Sequence, residues 1–204
     1  MKTSVLFPSG GGAAINYASG RYYQQHPLQR SDSATTLIGS NDICLVPFIP
    51  FNDVTVGEVG YWRIGTTAAN VFVGIYDASG TLLTDCAVDA DTTEGLHAVS
   101  TTNVDLVGGN KYYIAINQSA QVLQGTTPGS ANVPDSEEYF FHLFPFIGYD
   151  MDSGGTPAGS DFLRIGTGVL EKSRTAAALD SSISLTDGSW TAREVFIGAG
   201  IVVA

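Results

Sequence analysis

The stretch Asn70-Val71-Phe72-Val73-Gly74-Ile75-Tyr76-Asp77-Ala78-Ser79-Gly80-Thr81-Leu82-Leu83-Thr84 decides the fold class. Val71, Val73 and Ile75 fall on one side of an extended chain, and Phe72, Gly74 and Tyr76 on the other. Only a period of two, the period of a strand, sorts them that way. Asp77-Ala78-Ser79-Gly80 then puts Asp first and Gly last, which a type I turn favours. Residues 81–84 return as the partner strand. The segment predicts an antiparallel hairpin.

The same style continues on both sides. Residues 43–49 form a short apolar run in which Pro47 points to a sheet edge or a strand end, because proline lacks the N–H of a ladder bond. Val54 and Val56, then Val59, Tyr61 and Arg63, alternate with a slip of phase at Gly57-Glu58, which predicts a bulge. Residues 96–106 are rich in Thr and Val. Gly108-Gly109-Asn110 turns the chain, and residues 111–117 alternate again. Residues 118–136 and 148–160 read as loops, with aromatic-dense residues 138–146 between them. Short strands are expected at 162–165 and 169–171. The segment 193–203 is β-branched but broken by Gly198 and Gly200. Only residues 173–179 suggest a helical turn. About eight to ten short strands at roughly 8–12-residue spacing predict an all-β antiparallel sandwich. Residues 1–34 lack this pattern, and Pro8-Ser9-Gly10-Gly11-Gly12 breaks them. They read as an extended N-terminal arm, leaving 35–204 as the β-sandwich domain.

Composition agrees and excludes several classes. The chain has 204 residues, 24 of them glycine, only 14% charged and a net charge of −11. Average soluble domains carry roughly 25% charged residues and ~7% glycine. Disordered chains combine high charge with low hydrophobicity, unlike this one. Nucleic-acid binders need clustered Lys and Arg, so no nucleic-acid partner is expected. The first residues lack the apolar core of a secretory signal, and no run approaches the ~18 apolar residues of a membrane span. Synthesis in a cytoplasm and no membrane partner are the expectation. Cys44 and Cys86 read as buried free thiols, with a single bridge left open.

No catalytic motif appears, and the chain is read as not an enzyme. There is no Gly-x-Ser-x-Gly elbow and no phosphate loop. Glu137, Glu138, Asp150 and Asp161 are carboxylates with no separation fixed by sequence. Asp150, Asp152 and Asp161 stand at positions one, three and twelve of a partial calcium loop. Gly154 and the final Asp depart from that pattern, so no cofactor is expected, with calcium the one weak candidate. Asp85, Asp89, Asp91 and Glu94 read as a solvated acidic loop. His26, His97 and His142 lack ligand spacing and read as structural. Paired aromatics are the remaining signal: Tyr22-Tyr23, Tyr61-Trp62, Tyr112-Tyr113 and Tyr139-Phe140-Phe141. Neighbours in a strand face opposite ways, so one ring of each pair goes to the core. The other calls for a subunit or glycan partner. Tyr61, Trp62, Tyr113 and Tyr139 are the candidates, with an interface favoured over sugar.

The ordered set Gly20-Arg21-Tyr22-Tyr23, Val46-Pro47-Phe48, Val71-Phe72-Val73-Gly74-Ile75-Tyr76-Asp77-Ala78-Ser79-Gly80 and Gly109-Asn110-Lys111-Tyr112-Tyr113-Ile114-Ala115 resembles a β-sandwich module of tailed-bacteriophage virion proteins. The likeness covers roughly residues 20–117. Such modules look like jelly rolls and occur in tail fibres, baseplate-associated proteins and capsid decoration proteins. The resemblance implies a non-enzymatic structural protein of the virion, assembled with other capsid or tail proteins as a homotrimer. Its arm would dock through Tyr22 and Tyr23. A glycan-binding adhesin that meets a host surface glycan is the alternative, followed by a glycan-active enzyme.

Overall fold

The computed structural model describes residues 17–24, 38–123, 125–126, 169–193 and 196–204. They form strands only, with no helix among them, and every strand pair is antiparallel. One sheet has four strands in the order β1 (Tyr22–Gln24), β12 (Ala199–Val203), β3 (Val54–Arg63), β6 (Gly95–Leu106). The other has six: β10 (Thr191–Arg193), β9 (Val169–Ser173), β2 (Asp42–Phe48), β7 (Tyr112–Gln118), β4 (Val71–Asp77), β5 (Leu82–Asp85). A short ribbon pairs β8 (Gly125–Thr126) with β11 (Phe196–Ile197). The expected all-β class with two antiparallel sheets is what the chain forms.

The expected hairpin is β4 and β5. The Asp77 carboxylate accepts the backbone N–H groups of Ser79 (2.8 Å) and Thr81 (2.9 Å). Its bond from the Ser79 hydroxyl, with these N–H groups, holds it below the usual carboxylate range. Gly80 takes φ +88°, a conformation that side chains disfavour. The bulge expected at Gly57-Glu58 is also present, as a register shift between Val56 and Glu58 against β6.

Strand alternation explains two cores. Val71, Val73 and Ile75 of β4 meet Val56, Val59 and Ile201 of the opposite sheet, all fully buried. Tyr76 points the other way and joins Ile43, Leu45, Tyr113 and Ala115 in a second cluster. Water does not reach that second face because the segment after β9 lies over it through Leu179, with Ile183, Leu185 and Trp190 packed alongside. The six-stranded sheet is therefore buried on both faces. Burying one such leucine contributes about 1.5–3 kcal/mol.

Several expectations need correction. Residues 173–179 form no helical turn; they begin the covering segment, whose backbone is held by Arg174 N–H to the Asn41 carbonyl (2.7 Å). Of the two placements expected for Pro47, the structure gives the strand end, one residue before β2 stops, and not the sheet edge, because β9 and β7 flank β2. Among the described residues β9 pairs only with Asp42 to Leu45, short of Pro47. Gly200 does not break the last strand but lies within it. Within the region read as an extended arm, residues 22–24 form a strand that pairs with β12. Residues 1–16 and 25–34 lie outside the described residues, as do 127–168 with the strand expected at 162–165. Twelve strands are described, four of them only two or three residues long.

Candidate functional site

The densest polar constellation among the described residues grows from one cross-strand pair. Tyr61 on β3 stands opposite His97 on β6. Both point inward, by the alternation that also buries Val59 and Val99. Asp89 reaches them from the other sheet. Its backbone N–H and carbonyl both bond Val71 (2.9 Å each), which pins the loop after β5 to the start of β4. The site therefore ties the two sheets together.

Asp89 Oδ2 accepts the Tyr61 hydroxyl at 2.7 Å and faces His97 Nδ1 at 2.6 Å. Its Oδ1 accepts the Asp91 N–H at 2.8 Å. Burial pushes this carboxyl up, but the Asp91 N–H, the Tyr61 hydroxyl and His97 outweigh it and hold it below the ordinary range. Burial, then the Asp89 charge, raises the Tyr61 hydroxyl well above its usual value. His97 Nε2 lies 2.8 Å from the Thr93 carbonyl. A carbonyl only accepts, so that nitrogen carries a proton.

The arrangement superficially matches the Asp–His pair of hydrolytic sites. A general base must offer its distal nitrogen to a substrate. Here that nitrogen is spent on the chain itself. The Tyr61 hydroxyl is spent too. The constellation acts as a clamp between sheets rather than as a proton relay.

Arg63 completes the buried polar layer. It is 1% exposed, its Nη2 donates to the Thr67 carbonyl, and Nε and Nη1 have no partner among the described residues. A carboxyl pair, Asp42 and Glu171, sits between β2 and β9. Glu171 is buried and accepts the Gly39 N–H at 3.1 Å. Burial first, then this neighbouring carboxyl, raises Asp42 above the usual range. No cluster of three or more metal-ligating side chains occurs among the described residues.

Beside the clamp runs a groove of about 420 Å³, between residues 87–93 and residues 96–100 of β6. Val88 and Leu96, 47% and 42% exposed, form its apolar walls.

The residues singled out from sequence fall as follows. Tyr22 and Tyr23, expected to dock on a partner, dock on their own sheet. The Tyr22 ring covers Gly60 and Gly200, where an added Cβ would come within 2.6 and 2.7 Å of its Cε2 atom. Only glycine leaves that space. The Tyr22 hydroxyl is buried with no partner among the described residues, and burial raises it. Tyr23 meets Tyr17 edge to face at 4.8 Å, and its hydroxyl accepts the Ala18 N–H. Tyr61, a candidate partner-facing ring, is instead a fully buried core ring. Trp62 is half-buried on the opposite face of β3. Tyr113 is buried by the covering segment, with the Lys111 ammonium 4.9 Å from its ring centre. One chain thus supplies the cover that was expected from a subunit or ligand. Tyr139, Glu137, Glu138, Asp150, Asp152, Asp161, His26 and His142 lie outside the described residues. Cys44 and Cys86 are free and buried, and burial raises both thiols, Cys86 to about 11.

Sequence reasoning missed the clamp. Asp89 read as one of four solvated acids, and His97 as a lone structural ring. Their meeting depends on the Tyr61–His97 register and on the Asp89–Val71 bridge, and no local motif encodes either. No family model, no curated protein and no solved structure matches the chain.

Proposed function

We propose that the chain is a non-enzymatic structural subunit of a tailed-phage particle, a jelly-roll-like sandwich of the capsid decoration or tail fibre type. The observation that carries this reading is the placement of the resembling segments. Val46-Pro47-Phe48 ends β2, Gly109 to Ala115 opens β7, and Val71 to Gly80 spans β4 and makes its turn. These three segments lie on adjacent strands of one sheet, in the order β2, β7, β4, while the fourth, Gly20 to Tyr23, leads into β1 of the other sheet. Three of the four segments thus form one contiguous unit. The closed clamp supports the non-enzymatic side, since its Asp–His pair offers no free base.

Assembly as a homotrimer with other virion proteins belongs to the same reading. The N-terminal region would dock on the particle, but through residues before Tyr17, because Tyr22 and Tyr23 are engaged within the sheet. The test is incorporation. Quantitative mass spectrometry of purified particles of the encoding phage should find the chain at hundreds of copies for decoration or a handful for a tail position. Its absence from particles would overturn the proposal. Deleting residues 1–16, which leaves β1 intact, should give a folded protein that no longer joins particles. A glycan array separates decoration, which binds none, from a receptor-binding tip.

A further inference from the structure

We propose that the flank of the molecule between β5 and β6 is a docking groove for an extended segment of a partner protein that alternates apolar and basic residues. β5 is the outer strand of the six-stranded sheet and β6 the outer strand of the four-stranded sheet. The two run together where Cys86 bridges Thr101 and the Thr84 and Thr101 hydroxyls meet. They then part. Residues 87–93 swing away to pin Asp89 against Val71, so residues 96–100 of β6 have no neighbouring strand on that side among the described residues.

An unpaired edge presents a row of backbone donors and acceptors to any extended chain. Proteins usually block such an edge with Lys, Pro or a bulge. β6 has neither Lys nor Pro, and its irregularity lies at residues 101–103, beyond the groove. Five residues of strand give room for roughly 16 Å of partner chain. Val88 and Leu96 supply apolar walls for alternate side chains.

Charge selects the occupant. Asp91 lines the groove, and at its far end the Ser100 hydroxyl donates to Glu58 on the neighbouring strand (3.2 Å), a further carboxylate close by. Among the described residues no Lys or Arg lines it, and His97 is turned inward on Asp89. A second copy of the chain would bring a further −11 of like charge. A basic segment gains attraction at the same place. This inference goes beyond the particle assignment and stands without it.

The test uses the full chain and a capped peptide of about eight residues alternating Lys and Val, matched to the strand spacing. A Glu–Val peptide of the same length is the control. Anisotropy titration should show the Lys–Val peptide binding with a Kd below about 100 μM at low salt and weakening as salt rises. The Glu–Val peptide should not bind. Amide NMR shifts should concentrate at residues 96–100. Val88→Ser and Leu96→Ser, both at exposed positions, should each weaken binding about tenfold by removing an apolar wall without adding charge, while leaving the circular dichroism unchanged. Asp91→Lys should weaken it without touching the apolar walls. Equal binding of both peptides, binding of neither, or shifts that fall away from β6 would overturn the proposal.

Discussion

The outer face of the six-stranded sheet and the flank of β6 are opposite solutions to one problem. Each exposes apolar side chains beside strand backbone. On the first, the chain supplies its own cover: Leu179, Ile183, Leu185 and Trp190 lie over Tyr76 and Tyr113. On the second, Val88 and Leu96 stay half-exposed along a groove. The difference teaches that an aromatic pair in a strand is a poor guide to a partner surface. Tyr113 looked partner-facing and is covered, whereas the open flank has no Tyr, Trp or Phe among its described lining side chains.

The contrast can be broken most forcefully at Gly80. An added Cβ there would lie 2.1 Å from the Ile183 carbonyl oxygen, at φ +88°. The Gly80 carbonyl also accepts the Ile183 N–H at 2.8 Å. Gly80→Ala should cost on the order of 3 kcal/mol and loosen the cover. Urea unfolding reads the first, and faster amide exchange at residues 181–183 reads the second. Parental stability in this variant would mean that the turn does not hold the cover in place. Next in size is Leu179→Ala, which empties the centre of the cover and should cost about 2–3 kcal/mol in the same melt.

The clamp closes the inner end of the open flank, so Asp89→Asn should act on both stability and its pH dependence. About 1–2 kcal/mol at neutral pH is expected, because Asp89 is only partly buried and its charge is partly screened. The Asp89 carboxyl is held below its unfolded value. Its contribution is therefore complete above the ordinary carboxylate range and disappears as pH falls through the lowered folded value. Asp42 is raised, so its contribution has the opposite sign: complete at low pH and lost as pH rises through the raised value. Thermal melts across the acid range should show a shallower acid loss in Asp89→Asn than in the parent. An identical acid limb would remove the clamp from the account. The smallest effect sharpens the contrast: Val88→Asp should change stability by no more than about 0.5 kcal/mol, since the open flank holds nothing together.

Much of the fold could be read along the chain. The β4–β5 hairpin, the bulge after Val56 and the Gly109 turn each rest on local chemistry: alternation, an Asp-to-Gly turn, a phase slip beside glycine. What escaped depends on distant partners. Pro47 read as an edge or a strand-end signal because its neighbours were unknown; the choice falls to the strand end only once β9, more than a hundred residues later, is seen flanking residues 42–45. Gly60 and Gly200 looked like punctuation because the ring they accommodate belongs to Tyr22. The clamp was hidden for the same reason: Tyr61, Asp89 and His97 are each ordinary until register joins them. Strand period tells which way a side chain points, but not which strand it will meet.

The position of β12 has a consequence for the order of events during synthesis. Residues 199–203 are inserted between β1 and β3, so they form an inner strand of the four-stranded sheet. On the ribosome, β3 and β6 can pair early, as they are only 31 residues apart between Arg63 and Gly95 of the same sheet register. The tyrosines near the N-terminus must wait, because the strand that receives them is translated last among the described ones. Until it emerges, one edge of β3 stays unpaired and Tyr22 has only half of its glycine bed. Such distant closure favours slow folding. A nascent chain stalled before residue 199 should expose this edge to chaperones, and its release should bury the two ends of the described chain in a single step.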